Sequence, residues 1–138
     1  QLIVRKGFHK DVDSYSAFQE ADRKTGTGLK GYLKERGIKT VFVTGLATDF
    51  CVAWTAMDAR KAGLRTYVIE DATPAIDLNG SLAAAWKDMA ARGVQRIQSA
   101  DIATAWCPAS RSPSINARWS LTCRARLRCC TCCATIWA

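Results

Sequence analysis

Between residues 38 and 98, short β-branched or apolar runs alternate with stretches whose apolar residues recur every three to four positions. Thr40-Val41-Phe42-Val43-Thr44 lies between Gly37 and Gly45, and Thr66-Tyr67-Val68-Ile69 and Val94-Gln95-Arg96-Ile97 follow. Leu2-Ile3-Val4 is a further run near the start. These runs predict strands. The intervening patterns predict helices. The first covers about Gly28 to Arg36 and closes on Gly37. The second runs from Thr48, as N-cap, to Ala62, with Val52, Ala56 and Ala59 at helical spacing and Gly63 as terminator. The third starts near Asn79 and ends at Gly93, with Leu82, Trp86 and Met89 on one face. Strands alternating with crossover helices predict an α/β fold with a mostly parallel sheet, whose chemistry gathers at the carboxyl ends of the strands.

The pattern collapses at Cys107. Residues 107–138 are biased toward Ser, Arg, Cys and Trp, contain no acid and show no sustained period. The expected organisation is therefore one domain unit over 1–106 followed by an aberrant tail, disordered or translated out of frame. The net charge of +8 divides the same way: 1–106 hold fifteen Lys/Arg against twelve Asp/Glu, and the tail holds five Arg. Charge concentrated in such a tail argues for no nucleic-acid partner. No apolar run approaches the ~20 residues of a membrane span, and basic residues follow the first apolar run where a signal peptide would place them before it, so no membrane partner is expected. Cys51 is the lone body cysteine, which fits a reducing cytoplasm. The tail's Arg124-Ala125-Arg126-Leu127-Arg128 and Cys129-Cys130-Thr131-Cys132-Cys133 suggest a zinc, copper or phosphate module only thinly, because adjacent cysteines do not easily wrap one tetrahedral ion.

Chemistry concentrates in Gly45-Leu46-Ala47-Thr48-Asp49-Phe50-Cys51-Val52. A strand ends at Gly45, a tight turn follows, and Cys51 falls in the first turn of a helix, whose positive end favours a thiolate. Unpaired amides there, such as those of Ala47 and Cys51, suit a developing oxyanion. A small buried cysteine packing under the helix is the plain alternative. A second segment, Arg5-Lys6-Gly7 with Asp13-Ser14-Tyr15-Ser16-Ala17-Phe18, puts Lys6 at a strand end on the same sheet edge, where it would stabilise a thiolate or stand as a solvated charge. Tyr15 and Phe18 would wall a flat aromatic substrate or anchor their loop.

Together these two segments closely resemble nicotinamidases (pyrazinamidases) of the isochorismatase-like cysteine hydrolases, and Ile69-Glu70-Asp71-Ala72-Thr73 also matches. The resemblance covers about residues 1–103. It implies a three-layer, Rossmann-like sandwich of isochorismatase type, and a catalytic set of Asp, Lys and Cys in which Cys51 is the nucleophile and Lys6 the lysine. It further implies an oxyanion hole from the Ala47 and Cys51 amides, a cis peptide between Leu46 and Ala47, and pocket positions at Tyr15, Ser16, Leu46 and Phe50. The implied reaction is hydrolysis of nicotinamide to nicotinate and ammonia through a thioester, a step of NAD salvage, with small amides such as nicotinamide or pyrazinamide as substrates.

The resemblance also marks departures. The family's first strands, its catalytic Asp and its Asp/His site for a divalent metal (zinc, iron or manganese) precede the lysine and have no counterpart here, so the chain on its own is expected to be inactive. His9, the sole histidine, matches no metal ligand, and no metal site is expected within the chain. A truncated parallel sheet would seek a partner, so a homo-oligomer is plausible. Two other readings stand beside this one: a related cysteine amidohydrolase acting on carbamoyl or other small amides, and a noncatalytic binding protein of the same fold.

Overall fold

The computed structural model describes residues 2–106 and 133–137. Strands β1 (Thr40–Thr44), β2 (Arg65–Ile69), β3 (Gln95–Ile97) and β4 (Cys133–Trp137) form one sheet in the order β3-β2-β1-β4, with every pairing parallel. The helices are α1 (Leu29–Glu35), α2 (Ala53–Lys61), α3 (Ser81–Ala91) and α4 (Ile102–Trp106). This is the α/β alternation expected from the sequence.

Three helices stop in the same way. In α1 the Gly37 and Ile38 amides return to the carbonyls of Lys34 (3.0 Å) and Leu33 (2.9 Å). In α2 Gly63 and Leu64 bond Arg60 and Ala59, and in α3 Gly93 and Val94 bond Ala90 and Met89. Each glycine has positive φ, 67° at Gly37 and 86° at Gly63, where a side chain would be strained. The apolar residue after each glycine feeds directly toward the next strand.

Period-two alternation along the strands divides the core between two faces. Val41, Val43 and Val68 join a cluster with Leu33 of α1, Val52, Ala56 and Ala59 near or within α2, and Met89 of α3. Phe42, Tyr67 and Ile69 point the other way, packed with Ile97, Ile102 and Ala105 from β3 and α4. Phe42 and Tyr67 are register partners and their rings stack at 5.1 Å. Burying an aliphatic side chain such as Val41 or Val68 contributes roughly 1.5–3 kcal/mol, so the sheet is held from both sides. Helices on both faces make the three layers.

Several expectations change. Leu2-Ile3-Val4 is not a strand; it joins no ladder, and only Val4 packs partly against the core. The second helix opens as a π-helical turn, Thr48–Val52, capped by Ala47 rather than Thr48, and the third becomes regular at Ser81 after a 3₁₀ turn at Leu78–Gly80. Within the tail expected to be disordered or translated out of frame, Cys133–Trp137 forms β4, a β-branched and apolar run paired with the edge of β1. The remainder of that call, 107–132, lies outside the described residues.

Candidate active site

β1 ends at Thr44, and the chain turns through Gly45 (φ 129°) and a cis peptide between Leu46 and Ala47, where the resemblance had put one. The π-helical turn then carries Cys51 and runs into α2 without a break. Cys51 is a free, half-buried thiol. The Ala47 carbonyl accepts the Phe50 and Val52 amides, each at 3.1 Å, while the Ala47 N–H has no hydrogen-bond partner among the described residues.

A cavity of about 570 Å³ opens at this turn, lined by Tyr15, Leu46, Ala47, Phe50, Cys51, Pro74, Ala75 and Ile76. Its size is that of a small-molecule site. Of the expected pocket residues, Tyr15, Leu46 and Phe50 line it. Ser16 does not: it is 2% exposed, and its hydroxyl accepts the Phe18 amide (3.1 Å), so it serves the loop's own turn.

Lys6 is held differently from the thiol. Its Nζ donates to the Tyr15 carbonyl at 2.6 Å, and the Gly7 amide donates to Glu20 Oε1 at 3.1 Å. No hydrogen bond links Lys6 to Cys51 among the described residues, and Lys6 is not in the cavity wall. Among the described residues, what joins the two expected catalytic side chains is Tyr15, whose carbonyl accepts from the lysine and which itself lines the cavity beside Cys51. The Tyr15 ring also lies 5.5 Å from Trp54 of α2, and the next turn of the loop is tied to α2 by Ala17 N–H donating to Thr55 Oγ1 (3.0 Å).

The opposite wall, Pro74-Ala75-Ile76, went unread in the sequence. It lies in the loop after β2, so its one signal was position at a strand's carboxyl end. Residues 74–80 are all exposed, so burial does not hold them. Polar bonds to the nucleophile turn do. Thr48 donates its amide to the Pro74 carbonyl (3.1 Å) and its hydroxyl to that of Thr73. The Asp49 carboxylate, 8% exposed, accepts the Ile76 amide (3.2 Å), the Asp77 amide (2.8 Å) and the Ser81 hydroxyl (2.5 Å). Burial alone pushes that carboxyl's pKa up; the Ser81 hydroxyl and the Ile76 and Asp77 amides outweigh it and hold the group below its ordinary value. At the loop's start, Glu70 pairs with Arg96, and Asp71 accepts the Ser99 amide (2.8 Å).

An isochorismatase-domain family model matches residues 7–101, about two thirds of the chain and all of the cavity wall. The chain belongs to the isochorismatase family. Within that family it is 71% identical over 102 residues to a nicotinamidase of Acinetobacter baylyi, covering 74% of this chain and 48% of the relative. The solved structure of an Acinetobacter baumanii nicotinamidase/pyrazinamidase superposes with a TM-score of 0.72 at 69% identity, covering 74% of this chain and 49% of that one. A Pyrococcus horikoshii pyrazinamidase solved in complex with zinc gives a TM-score of 0.62 at 34% identity, covering 70% of this chain and 50% of that one. The chain thus spans about half the length of the isochorismatase-family relatives it matches.

Zinc in that neighbour raises the question of a metal here. Among the described residues no group of three or more His, Cys, Asp or Glu side chains is gathered as a metal site requires, and the His9 ring lies tilted against Phe8 at 4.5 Å between centroids. The described residues do not fit a metal.

Proposed function

We propose that the protein carrying this chain is a nicotinamidase-type amidohydrolase, with Cys51 as nucleophile. The observation that carries this reading is the grouping of Cys51, Tyr15, Phe50 and Ala47, whose N–H has no partner among the described residues, around one cavity. A flat aromatic amide such as nicotinamide or pyrazinamide would lie between Tyr15 and Phe50 with its carboxamide carbon at the thiol. The names of the Acinetobacter relatives support this substrate class.

The chemistry follows from the groups. The thiolate adds to the carboxamide carbon, and the Ala47 and Cys51 amides receive the oxyanion. Protonation of the leaving nitrogen releases ammonia, and water then cleaves the thioester to the carboxylate. Lys6 supplies positive charge near the thiolate, steered by the Tyr15 carbonyl that accepts from it. A divalent metal in the whole protein, as in the zinc-bound Pyrococcus neighbour, would draw its ligands from outside the described residues. A cytoplasmic setting fits the lone body thiol, and no helix among the described residues is long and apolar enough to cross a membrane. Self-association belongs to the same proposal, because Leu46 and Ile76 of the cavity wall, and Leu78 two residues on, are exposed apolar side chains.

The test is ammonia release from nicotinamide, pyrazinamide and a carbamoyl amide by the whole protein that contains this chain. Release is expected from the two aromatic amides and should fall at least about a thousandfold in Cys51→Ala. Release that survives Cys51→Ala ends the reading, and a preference for the carbamoyl amide transfers it to the other amidohydrolases of the family.

A further inference from the structure

We infer that Asp49 is a positioning residue that sets the distance between the Pro74-Ala75-Ile76 wall and the Cys51 thiol, and so selects flat aromatic amides over small aliphatic ones. The inference rests on the reading of the cavity as an amide-hydrolase site, and it assigns to that site a residue that touches no substrate.

Three observations lead to it. Asp49 lies two residues before Cys51 on the same π-helical turn, so whatever it holds moves with the nucleophile. Its carboxylate is buried and saturated by donors from the opposite wall: the Ile76 and Asp77 amides and the Ser81 hydroxyl at the start of α3. The wall has little else to fix it, since residues 74–80 are exposed and both Asp77 (φ 55°) and Asn79 (φ 53°) adopt left-handed conformations that the loop must be held into. Thr48 fixes the Thr73–Pro74 end of the wall, and Asp49 fixes its Ile76–Asp77 end. Ionised hydrogen bonds are short and about twice as strong as neutral ones, which suits a carboxylate to hold an exposed loop at a set distance. Asn would keep the volume and lose one acceptor oxygen, so the Ile76 end of the wall would swing outward. A small reagent would still reach the thiol, whereas an aromatic one would lose the surface it packs against.

The experiment compares alkylation of Cys51 by iodoacetamide and by N-phenyliodoacetamide in the chain as it stands. Cys51 is read by mass spectrometry in the tryptic peptide 40–60, in which it is the sole cysteine, and both rates are referred to those of free glutathione. Relative to glutathione, the native chain is expected to favour the aromatic reagent. In Asp49→Asn that preference should fall by about fivefold, the worth of an ordinary hydrogen bond, with the aromatic rate losing more than the iodoacetamide rate. Ser81→Ala removes one donor without disturbing the turn and should fall partway, with Ser81→Thr restoring the native preference. This second pair decides the matter if Asp49→Asn does not fold. A general loosening of the protein raises both rates together and leaves their ratio alone, which overturns the inference. A native preference that persists through Asp49→Asn and Ser81→Ala also overturns it, while leaving the cavity's assignment intact. A native chain with no aromatic preference removes both.

Discussion

The two walls of the cavity are both irregular loops, and they are held to one rigid unit by opposite means. The wall that follows β2 is stitched to the π-helical turn by polar bonds, with a buried carboxylate at their centre and almost no packing. The wall before α1 is anchored farther along, on α2, chiefly by aromatic packing and a neutral hydrogen bond: Tyr15 on Trp54, the Arg23 guanidinium over the Trp54 ring at 4.2 Å, and Ala17 N–H on Thr55. The unit between them, residues 47–61, carries the thiol and serves as the fixed frame for both. One consequence is that each wall responds to a different insult: loss of aromatic surface for one, loss of negative charge for the other.

The packed wall offers the largest effect. Trp54→Ala removes the ring that meets both Tyr15 and Arg23 and is expected to cost about 2 kcal/mol, less than a fully buried Trp because this one is half-buried. A urea midpoint checks the loss. Amide signals of residues 13–20 should move while those of Ile76 and Asp77 stay in place. Movement of the second set would show that the two walls are coupled through something other than the shared helix.

The charged wall separates from the packed one by acid. Asp49's folded pKa lies below its ordinary value of 3.8, because the Ser81 hydroxyl and the two wall amides outweigh the upward push of burial. A depressed carboxyl contributes stability that is complete above the unfolded value and disappears as pH falls through the folded one, so the wall tightens with rising pH and is at full strength by neutrality. The acid on the wall itself, Asp77, accepts the Leu82 amide (3.2 Å) with its carboxylate and meets Asp49 through its own amide. Amide chemical shifts of Ile76 and Asp77 followed against pH should titrate together with a midpoint under 3.8, with the Ala17 amide unaffected. A midpoint at or above 3.8 would sink the account of the carboxylate. Asp22, lowered to about 2 by the Thr25 and Lys24 groups bonded to it, should hold its own turn until the pH falls to that value.

The contrast also explains what the sequence disclosed. Strands at 40–44 and 66–69, and helix stops at Gly37, Gly63 and Gly93, follow from local rules: β-branched runs, and glycines with positive φ where a helix must end. Cys51 was legible because strand, turn and helix are consecutive in the chain. The 74–76 wall and Asp49's part in it were not, since their bonds join residues 27 to 32 positions apart and leave no periodic trace. Ser16, a pocket position by resemblance, is not in the cavity wall, because a motif carries no side-chain direction; the hydroxyl turns inward to Phe18. Leu2-Ile3-Val4 has strand composition and no strand to pair with among the described residues, and β4 arises within a tail whose composition suggested no structure.

The smallest effect tests whether charge matters at all on the packed wall. Arg23 lies over Trp54 and approaches Asp58 at 3.9 Å, but its side chain is 50% exposed. An exposed cation over a ring contributes about 0.5–1 kcal/mol, and an exposed ion pair at that distance adds little once side-chain entropy and salt screening are counted. Arg23→Gln is therefore expected to cost about 0.5 kcal/mol, mostly from the lost ring contact. Because Gln19 already donates to both Asp58 oxygens at 3.2 Å, the carboxylate keeps a partner when the arginine is gone. The loss should thus be nearly the same at low and high salt. A cost that shrinks strongly with added salt would mean that the Arg23–Asp58 attraction, rather than the aromatic stack, secures this wall, and the division between a packed wall and a charged one would then fail.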